Sequence, residues 1–312
     1  MTKPAKNAIF LAIDDGYTAL ARACLNSIRR NFSEHPHIIV SYGGADKDFL
    51  SFLRDFRDLE IIPPIDIRSM TGDTDEELKE QLGDAWAEGV EYKYYAWSDR
   101  FQDYDSVLYL DADTLVLKPL DKMLSAADFF VVSDPAPGIN CRPFKSDRRS
   151  DPALLSKLLE DSLPLLNDRY DMCNSGVFVI PKHLRRREHL NQLLRLRSRY
   201  RGFCAYPDQS VISMWCQVNK FAYSRSYEFN FQISMLEYEP DVARCDESDI
   251  SILHFSGPYK PNSFNFMRVG RIDKAIKVRL ARLFFSYLYD DPAVRRDSFD
   301  ESAWLTETVL RS

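Results

Sequence analysis

One segment constrains this chain more than any other: a continuous apolar run that ends abruptly in two carboxylates. Val107-Leu108-Tyr109-Leu110 is followed at once by Asp111-Ala112-Asp113. An unbroken apolar run of this length, bounded by polar residues, reads as a strand buried on both faces of a sheet. The flanking sequence supplies the partners such a strand needs. Ile9 to Ile13 is a short apolar run stopped by Asp14-Asp15-Gly16, after which Ala19, Ala23, Leu25 and Ile28 recur at helical spacing up to Asn31. His37 to Ser41 and Leu59 to Ile62 read as further strands, with the amphipathic stretch around Phe49, Leu50, Leu53 and Phe56 between them. Phe129 to Ser133, Val177 to Ile180 and Ile252 to Phe255 continue the series. Strands alternating with helices predict an α/β protein whose parallel sheet is covered on both faces. Such sheets bind ligands beyond the C-terminal ends of their strands.

The remaining segments carry less information. Asp73 to Arg100 is expected to be helical, Pro135 to Asp171 a long excursion beside the site, and Leu184 to Arg199 a basic helix. No internal repeat or low-complexity segment interrupts the chain. At 312 residues and 45% hydrophobic content it can bury a substantial core, and a net charge of -6 argues against nucleic acid as its main partner. The apolar run Ala8 to Ile13 is too short for a signal peptide or a membrane span, which predicts a cytoplasmic location and reduced thiols. The six cysteines form no CxxC pair, so they are expected to be buried and inert rather than zinc ligands or disulfides.

Chemistry concentrates after two strands. Carboxylates at i and i+2 of a strand point the same way and can bracket one hard cation at its end. Asp46/Asp48, Asp73/Asp75 and Asp103/Asp105 share that spacing, but only Asp111/Asp113 follows a buried strand. Two carboxylates in that setting need a cation or hydrogen bonds to compensate them. The second signal is Ile252-Leu253-His254-Phe255-Ser256-Gly257-Pro258-Tyr259-Lys260-Pro261. A strand there delivers a histidine, then a glycine turn that admits a phosphate close to the backbone, then a lysine to neutralise it. Taken alone, a histidine on a strand is more often a satisfied core residue. Asp111, Asp113 and His254 together suit Mn²⁺ or Mg²⁺, with the imidazole favouring Mn²⁺.

These residues resemble glycosyltransferase family 8, which includes glycogenin and the bacterial lipooligosaccharide galactosyltransferases. The resemblance covers roughly residues 8 to 265 and rests on several segments in the family's order. They are Ala12-Ile13-Asp14-Asp15-Gly16-Tyr17, the run from Val107 to Asp113, Cys173-Asn174-Ser175-Gly176-Val177, Asp208-Gln209, and the run from His254 to Pro261. It implies a GT-A domain over residues 1 to 265, a Rossmann-like nucleotide-binding sheet joined to an acceptor-binding half. The implied reaction moves a hexose-type sugar from a UDP-sugar with retention at the anomeric carbon. By the same resemblance, Asp111, Asp113 and His254 hold the metal on the donor diphosphate, with Ala112 between the two carboxylates. Gly257 and Lys260 contact the diphosphate, and Ala12, Asp14 and Tyr17 fall where the family grips uridine and ribose. Lys93, Asp134, Asn174, Asp208 and Gln209 fall around the donor sugar. Gly16 and Asn262 depart from the family, which often has asparagine at the first position and an aromatic at the second.

The implied catalytic group is Gln209, Asp208, Asp134 and Lys260. Gln209 is a poor nucleophile, so front-face attack with Gln209 and Asp134 positioning the sugar is the reading taken, with Asp208 a conceivable nucleophile. Two other classes fit part of the sequence. Asp111-Ala112-Asp113-Thr114-Leu115 also suits a haloacid-dehalogenase phosphatase, although 110 residues precede it and no later acidic metal motif follows. A non-catalytic nucleotide-sugar binding protein is the other. The acceptor is a glycan, a lipid-linked saccharide, a protein or a small metabolite.

Residues 266 to 312 form a helical tail in which Arg268, Arg271, Lys274, Lys277, Arg279 and Arg282 interleave with Ile276, Leu280, Leu283, Phe284, Phe285, Tyr287, Leu288 and Tyr289. Either its apolar side packs on the catalytic domain, or it docks peripherally on the inner face of an anionic membrane with its aromatics in the interface.

Overall fold

The computed structural model describes residues 7–32, 36–64, 92–134, 144–161, 163, 172–224, 226–238, 249–263, 266–268 and 272–290. The strands are β1 (Asn7–Ile13), β2 (His37–Tyr42), β3 (Leu59–Ile62), β4 (Ser106–Leu110), β5 (Thr114–Val116), β6 (Phe130–Ser133), β7 (Cys173–Pro181), β8 (Phe231–Gln232) and β9 (Ile252–His254). The helices are α1 (Thr18–Asn31), α2 (Lys47–Arg54), α3 (Asp121–Leu124), α4 (Pro152–Glu160), α5 (Arg187–Tyr200), α6 (Pro207–Val218), α7 (Met235–Tyr238) and α8 (Lys274–Leu288).

A six-stranded sheet in the order β3-β2-β1-β4-β7-β6 forms the body, and a three-stranded sheet in the order β5-β9-β8 lies beside it. The strand alternation expected from sequence places a core on each face of the large sheet. Ala8, Phe10, Ile39, Val107, Tyr109, Phe178 and Ile180 pack into one core, with Trp97, Trp215 and Leu193. Ile9, Leu11, Val40, Leu108, Leu110, Val177 and Val179 pack into the other, with Ala21, Leu25 and Ile28 of α1. The near-continuous apolar strands are therefore explained by burial on both sides.

The sheet is not all parallel. β3, β2, β1 and β4 run parallel, but β7 is antiparallel to both β4 and β6. The apolar run of β7 is as continuous as that of β4, because burial on both faces erases the alternation by which an antiparallel strand is usually recognised.

Two other expectations change, and the choice left open for the tail is decided. Of the helix expected over Asp73 to Arg100, residues 73–91 lie outside the described segments. Tyr92–Trp97 and Asp99–Phe101 are 3₁₀ turns rather than α-helix. Residues three apart nearly eclipse in such a turn, so Tyr94 and Trp97 share a side and are fully buried. The excursion over Pro135 to Asp171 contains α4, capped by Asp151, whose carboxylate accepts from Ala153 N, and anchored by buried Leu154 and Leu158. The tail helix α8 turns its apolar residues inward. Leu280, Leu283, Phe284, Phe285 and Tyr287 are buried in a third core with Leu20, Ala23, Leu115 and Phe255, and Asn26 of α1 donates to Tyr287 O. Those aromatics are thus committed to the protein and are not available to a membrane interface. Residues 291–312 lie outside the described segments. Among the described residues no helix is long and apolar enough to cross a membrane. Cys24, Cys173, Cys204 and Cys216 are buried thiols, whereas Cys141 and Cys245 lie outside the described segments.

Candidate metal and donor site

The chain leaves the large sheet at Leu110 and enters the small one at Thr114, so Asp111-Ala112-Asp113 is the turn between two sheets rather than an extension of β4. The strand-alternation argument for the two carboxylates does not apply there; hydrogen bonds to both sheets bring them together instead. Asp111 N donates to Gly176 O of β7 at 2.7 Å, Thr114 N and Oγ1 donate to Asp111 O, and Phe255 N donates to Asp113 O at 2.9 Å. His254, the last residue of β9, pairs with Thr114 of β5. Its Nε2 lies 3.3 Å from Asp113 Oδ1 and 4.0 Å from Asp111 Oδ2. One ligand atom from each of Asp111, Asp113 and His254 falls within 4.8 Å of the others.

The surroundings fit a divalent cation. Gly176 passes directly beneath His254 and Asp111. A Cβ there would stand 2.3 Å from His254 Cε1 and 2.7 Å from Asp111 Oδ2, so only the bare backbone leaves this space open. Asp113 and His254 are 5% and 3% exposed, a costly place for a carboxylate without compensation. Two hard oxygen donors and one imidazole nitrogen suit Mn²⁺ or Mg²⁺. Lys260 reaches the same carboxylate, contacting Asp113 Oδ2 and donating to Phe255 O at 2.7 Å. Burial alone would raise the Asp113 carboxyl, but Lys260 and His254 outweigh it and hold it well below the usual carboxylate range. Gly257 adopts φ +61, the left-handed turn expected between His254 and Lys260.

A second charged group backs the first. Lys93, 2% exposed, places Nζ 2.6 Å from Asp208 Oδ2 and 3.3 Å from Asp111 Oδ1. It also donates to Ser175 O and Oγ, while Ser175 Oγ donates to Asp208 Oδ2 at 2.6 Å. Burial would lower the Lys93 ammonium, and Asp111 and Asp208 reverse this and raise it. For Asp208 burial pulls upward, and Lys93 then overrides it and lowers the carboxyl. Tyr109 OH completes the shell by donating to Asp111 Oδ1 at 2.9 Å.

The third part is a chain of amides. His254 Nδ1 lies 2.9 Å from Asn230 Oδ1. Asn230 Nδ2 donates to Asn174 Oδ1 at 2.9 Å. Asn174 Nδ2 donates to Gln232 Oε1 at 2.9 Å and to Gln209 Oε1 at 3.5 Å. Gln209 Nε2 donates to Asp134 Oδ2 at 2.7 Å.

The structure thus gathers Lys93, Asp111, Asp113, Asp134, Asn174, Asp208, Gln209, His254 and Lys260 into one connected site. Tyr17 joins it, its ring 5.8 Å from Lys260 Nζ. Burial, then Asp113 and Asp111, push its hydroxyl up to about 12. Ala12 and Asp14 stand at the C-terminal end of β1, the strand beside β4. The Asp14 carboxylate accepts from Gly16 N and so caps the turn Asp15–Tyr17. Ala112 is buried between the two carboxylates in sequence. Sequence reasoning did not single out Asn230, Gln232, Ser175 or Tyr109, and it treated Gly176 only as part of a motif. Ser175 and Gly176 could have been found there, since they follow Asn174. Asn230 and Gln232 carry no local signal, because a two-residue strand brings them in.

The fold built from these two sheets, with the carboxylate turn where they meet, is the GT-A fold of glycosyltransferases. The apo structure of the bifunctional glycosyltransferase WbbM superposes with a TM-score of 0.62 at 16% identity, covering 100% of this chain and 52% of that one. The galactosyltransferase LgtC, in complex with donor and acceptor sugar analogues, superposes with a TM-score of 0.58 at 17% identity, covering 95% and 98%. The glycosyltransferase GlyE of Streptococcus pneumoniae TIGR4 gives 0.58 at 18%, covering 98% and 64%. This chain therefore spans about half of WbbM and somewhat under two thirds of GlyE. No curated protein matches this sequence. The sequence profile of Glycosyl transferase family 8 matches residues 8–263, and the chain belongs to that family. That family is one of glycosyltransferases, and the phosphatase reading of Asp111-Ala112-Asp113 falls away with the membership.

Proposed function

We propose that the chain transfers a hexose-type sugar from a UDP-sugar, with retention, using a divalent ion held by Asp111, Asp113 and His254. The observation that carries this reading is their convergence over the bare backbone of Gly176, with Lys260 at the same carboxylate. A bound Mn²⁺ or Mg²⁺ would supply Lewis-acid stabilisation of the charge that gathers on a departing diphosphate.

The protein's own groups do the rest. As the sugar-phosphate bond lengthens, negative charge grows on the diphosphate oxygens, and the Lys260 ammonium favours that state over the ground state. Gly257 lets backbone approach the phosphates, while Ala12, Asp14 and Tyr17 line the nucleotide end. Gln209 and Asp134, joined by their hydrogen bond, hold the sugar. The Asp208 carboxylate is engaged by Lys93 and Ser175, which supports front-face attack by the acceptor hydroxyl over a covalent aspartyl intermediate. The acceptor is a glycan or a lipid-linked saccharide. Residues 1–265 form the catalytic domain in this reading, and α8 buttresses it. Any membrane contact would rest on basic residues of the tail rather than on Phe284, Phe285 and Tyr287.

A panel of nucleotide sugars with Mn²⁺, scored for slow donor hydrolysis without acceptor, tests the reading. Release of UDP from one UDP-sugar, lost with EDTA and reduced at least about 100-fold in Asp113→Asn, about 3 kcal/mol of barrier, is expected. No turnover of any nucleotide sugar, or turnover indifferent to EDTA, would overturn it.

A further inference from the structure

The amide chain between His254 and Asp134 has a direction that can be deduced from one end. Gly176 N is a backbone donor and lies 3.0 Å from a terminal atom of the Asn174 side chain, so that atom must be the oxygen. The same oxygen faces Asn230 at 2.9 Å, so Asn230 must present its nitrogen there. Its oxygen then faces His254 Nδ1, which must carry the hydrogen. The opposite end agrees independently. Asp134 is a carboxylate and accepts, so Gln209 turns its nitrogen to Asp134 and its oxygen toward the Asn174 nitrogen. Asn174, Asn230 and His254 are all at least nine-tenths buried, so water does not compete for these contacts.

We propose that Asn230 is a positioning residue for the metal centre. By accepting from His254 Nδ1, it fixes the tautomer and the ring plane, so that the Nε2 lone pair points between Asp111 and Asp113. The inference rests on the reading of Asp111, Asp113 and His254 as metal ligands. Hydrogen bonding at the distal nitrogen of a ligating histidine holds the ring and raises its basicity, and its loss weakens metal binding by about 10- to 100-fold. Asn230 is itself held by its bond to Asn174, so the residue placed at the sugar and the residue placed at the metal share one hydrogen-bonded support.

The test is Mn²⁺ titration of the full chain, read by the electron paramagnetic resonance signal of free Mn²⁺, on wild type, His254→Ala and Asn230→Ala. Asn230→Ala should bind Mn²⁺ about 10- to 100-fold more weakly than wild type. Nitrogen-15 spectra of the wild-type imidazoles without metal should show His254 protonated at Nδ1. Weaker binding in His254→Ala but wild-type affinity in a folded Asn230→Ala would overturn the role of Asn230 and leave the metal site standing. Wild type that binds no Mn²⁺ would overturn both. Should Asn230→Ala fail to fold, the spectrum decides. His254 carrying a hydrogen on Nε2 and none on Nδ1 would refute the proposal.

Discussion

Replacing Lys93 with methionine keeps the length of the side chain but removes the charge between Asp208 and Asp111. At 2.6 Å from Lys93 Nζ, Asp208 is the partner that suffers, because its side chain is only 8% exposed while that of Asp111 is 29% exposed. At an effective dielectric of 20 the attraction at that distance is about 6 kcal/mol, much of which offsets the desolvation of both ions. What remains when one partner of such a buried pair is removed is a loss of about 3–5 kcal/mol. With roughly 2.1 cal/mol/K of unfolding entropy per residue over 312 residues, Tm should fall by roughly 5–8 °C. The loss should also depend on pH in a defined direction. In the wild type the Asp208 carboxyl is held low, so its stabilisation is present above the unfolded carboxylate range and lost on acidification through it. In Lys93→Met burial is opposed only by the hydrogen bonds from Ser175 and the Gln209 backbone, the carboxyl moves up from its wild-type position, and the stabilisation it gave at neutral pH is reduced. The gap between the two proteins is therefore widest near neutrality and narrows toward about pH 4. Denaturant unfolding at several pH values reads this directly. Adding Asp208→Asn to Lys93→Met should recover part of the loss at pH 7. A single variant within about 1 kcal/mol of wild type at pH 7, or a double variant no better than the single, would refute the assignment of Lys93 as the counter-ion that keeps this carboxylate charged.

Gly176→Ala puts a methyl group 2.3 Å from His254 Cε1; Mn²⁺ affinity should drop at least about tenfold in calorimetry while far-ultraviolet circular dichroism is retained, and unchanged affinity would show that the three groups do not close over this backbone. Gln209→Ala should lower turnover while leaving UDP affinity near wild type by calorimetry, because its hydrogen bonds run to Asp134 and Asn174; a collapse of UDP affinity would place it in the nucleotide site. Phe284→Ala, in the core that joins α8 to α1, should cost about 3–5 kcal/mol in urea unfolding. A loss below about 1 kcal/mol would mean that α8 is not packed on the domain.

The sequence by itself determined what depends on neighbours along the chain. Strand positions were legible because β1, β2 and β4 are continuous apolar runs ended by turn residues, and α1 was legible from its 3.6-residue period. Asp111, Asp113, His254 and Lys260 were legible because each ends a strand or lies soon after one, where a sheet presents its ligand groups. Strand direction was not. β7 buries every residue whether it runs parallel or antiparallel, so its reversal against β4 leaves no mark in its composition. Nor could local spacing bring the carboxylates together, since they meet in a turn fixed by Gly176 of one sheet and Phe255 of the other. The excursion to Lys93 and the arrival of Asn230 through a two-residue strand belong to the same class. Hydrogen bonds and charges act through space over a few ångströms, while sequence signals act through the period of the backbone. The ligand groups were therefore readable from the chain, and the residues that hold them in place only from its folding.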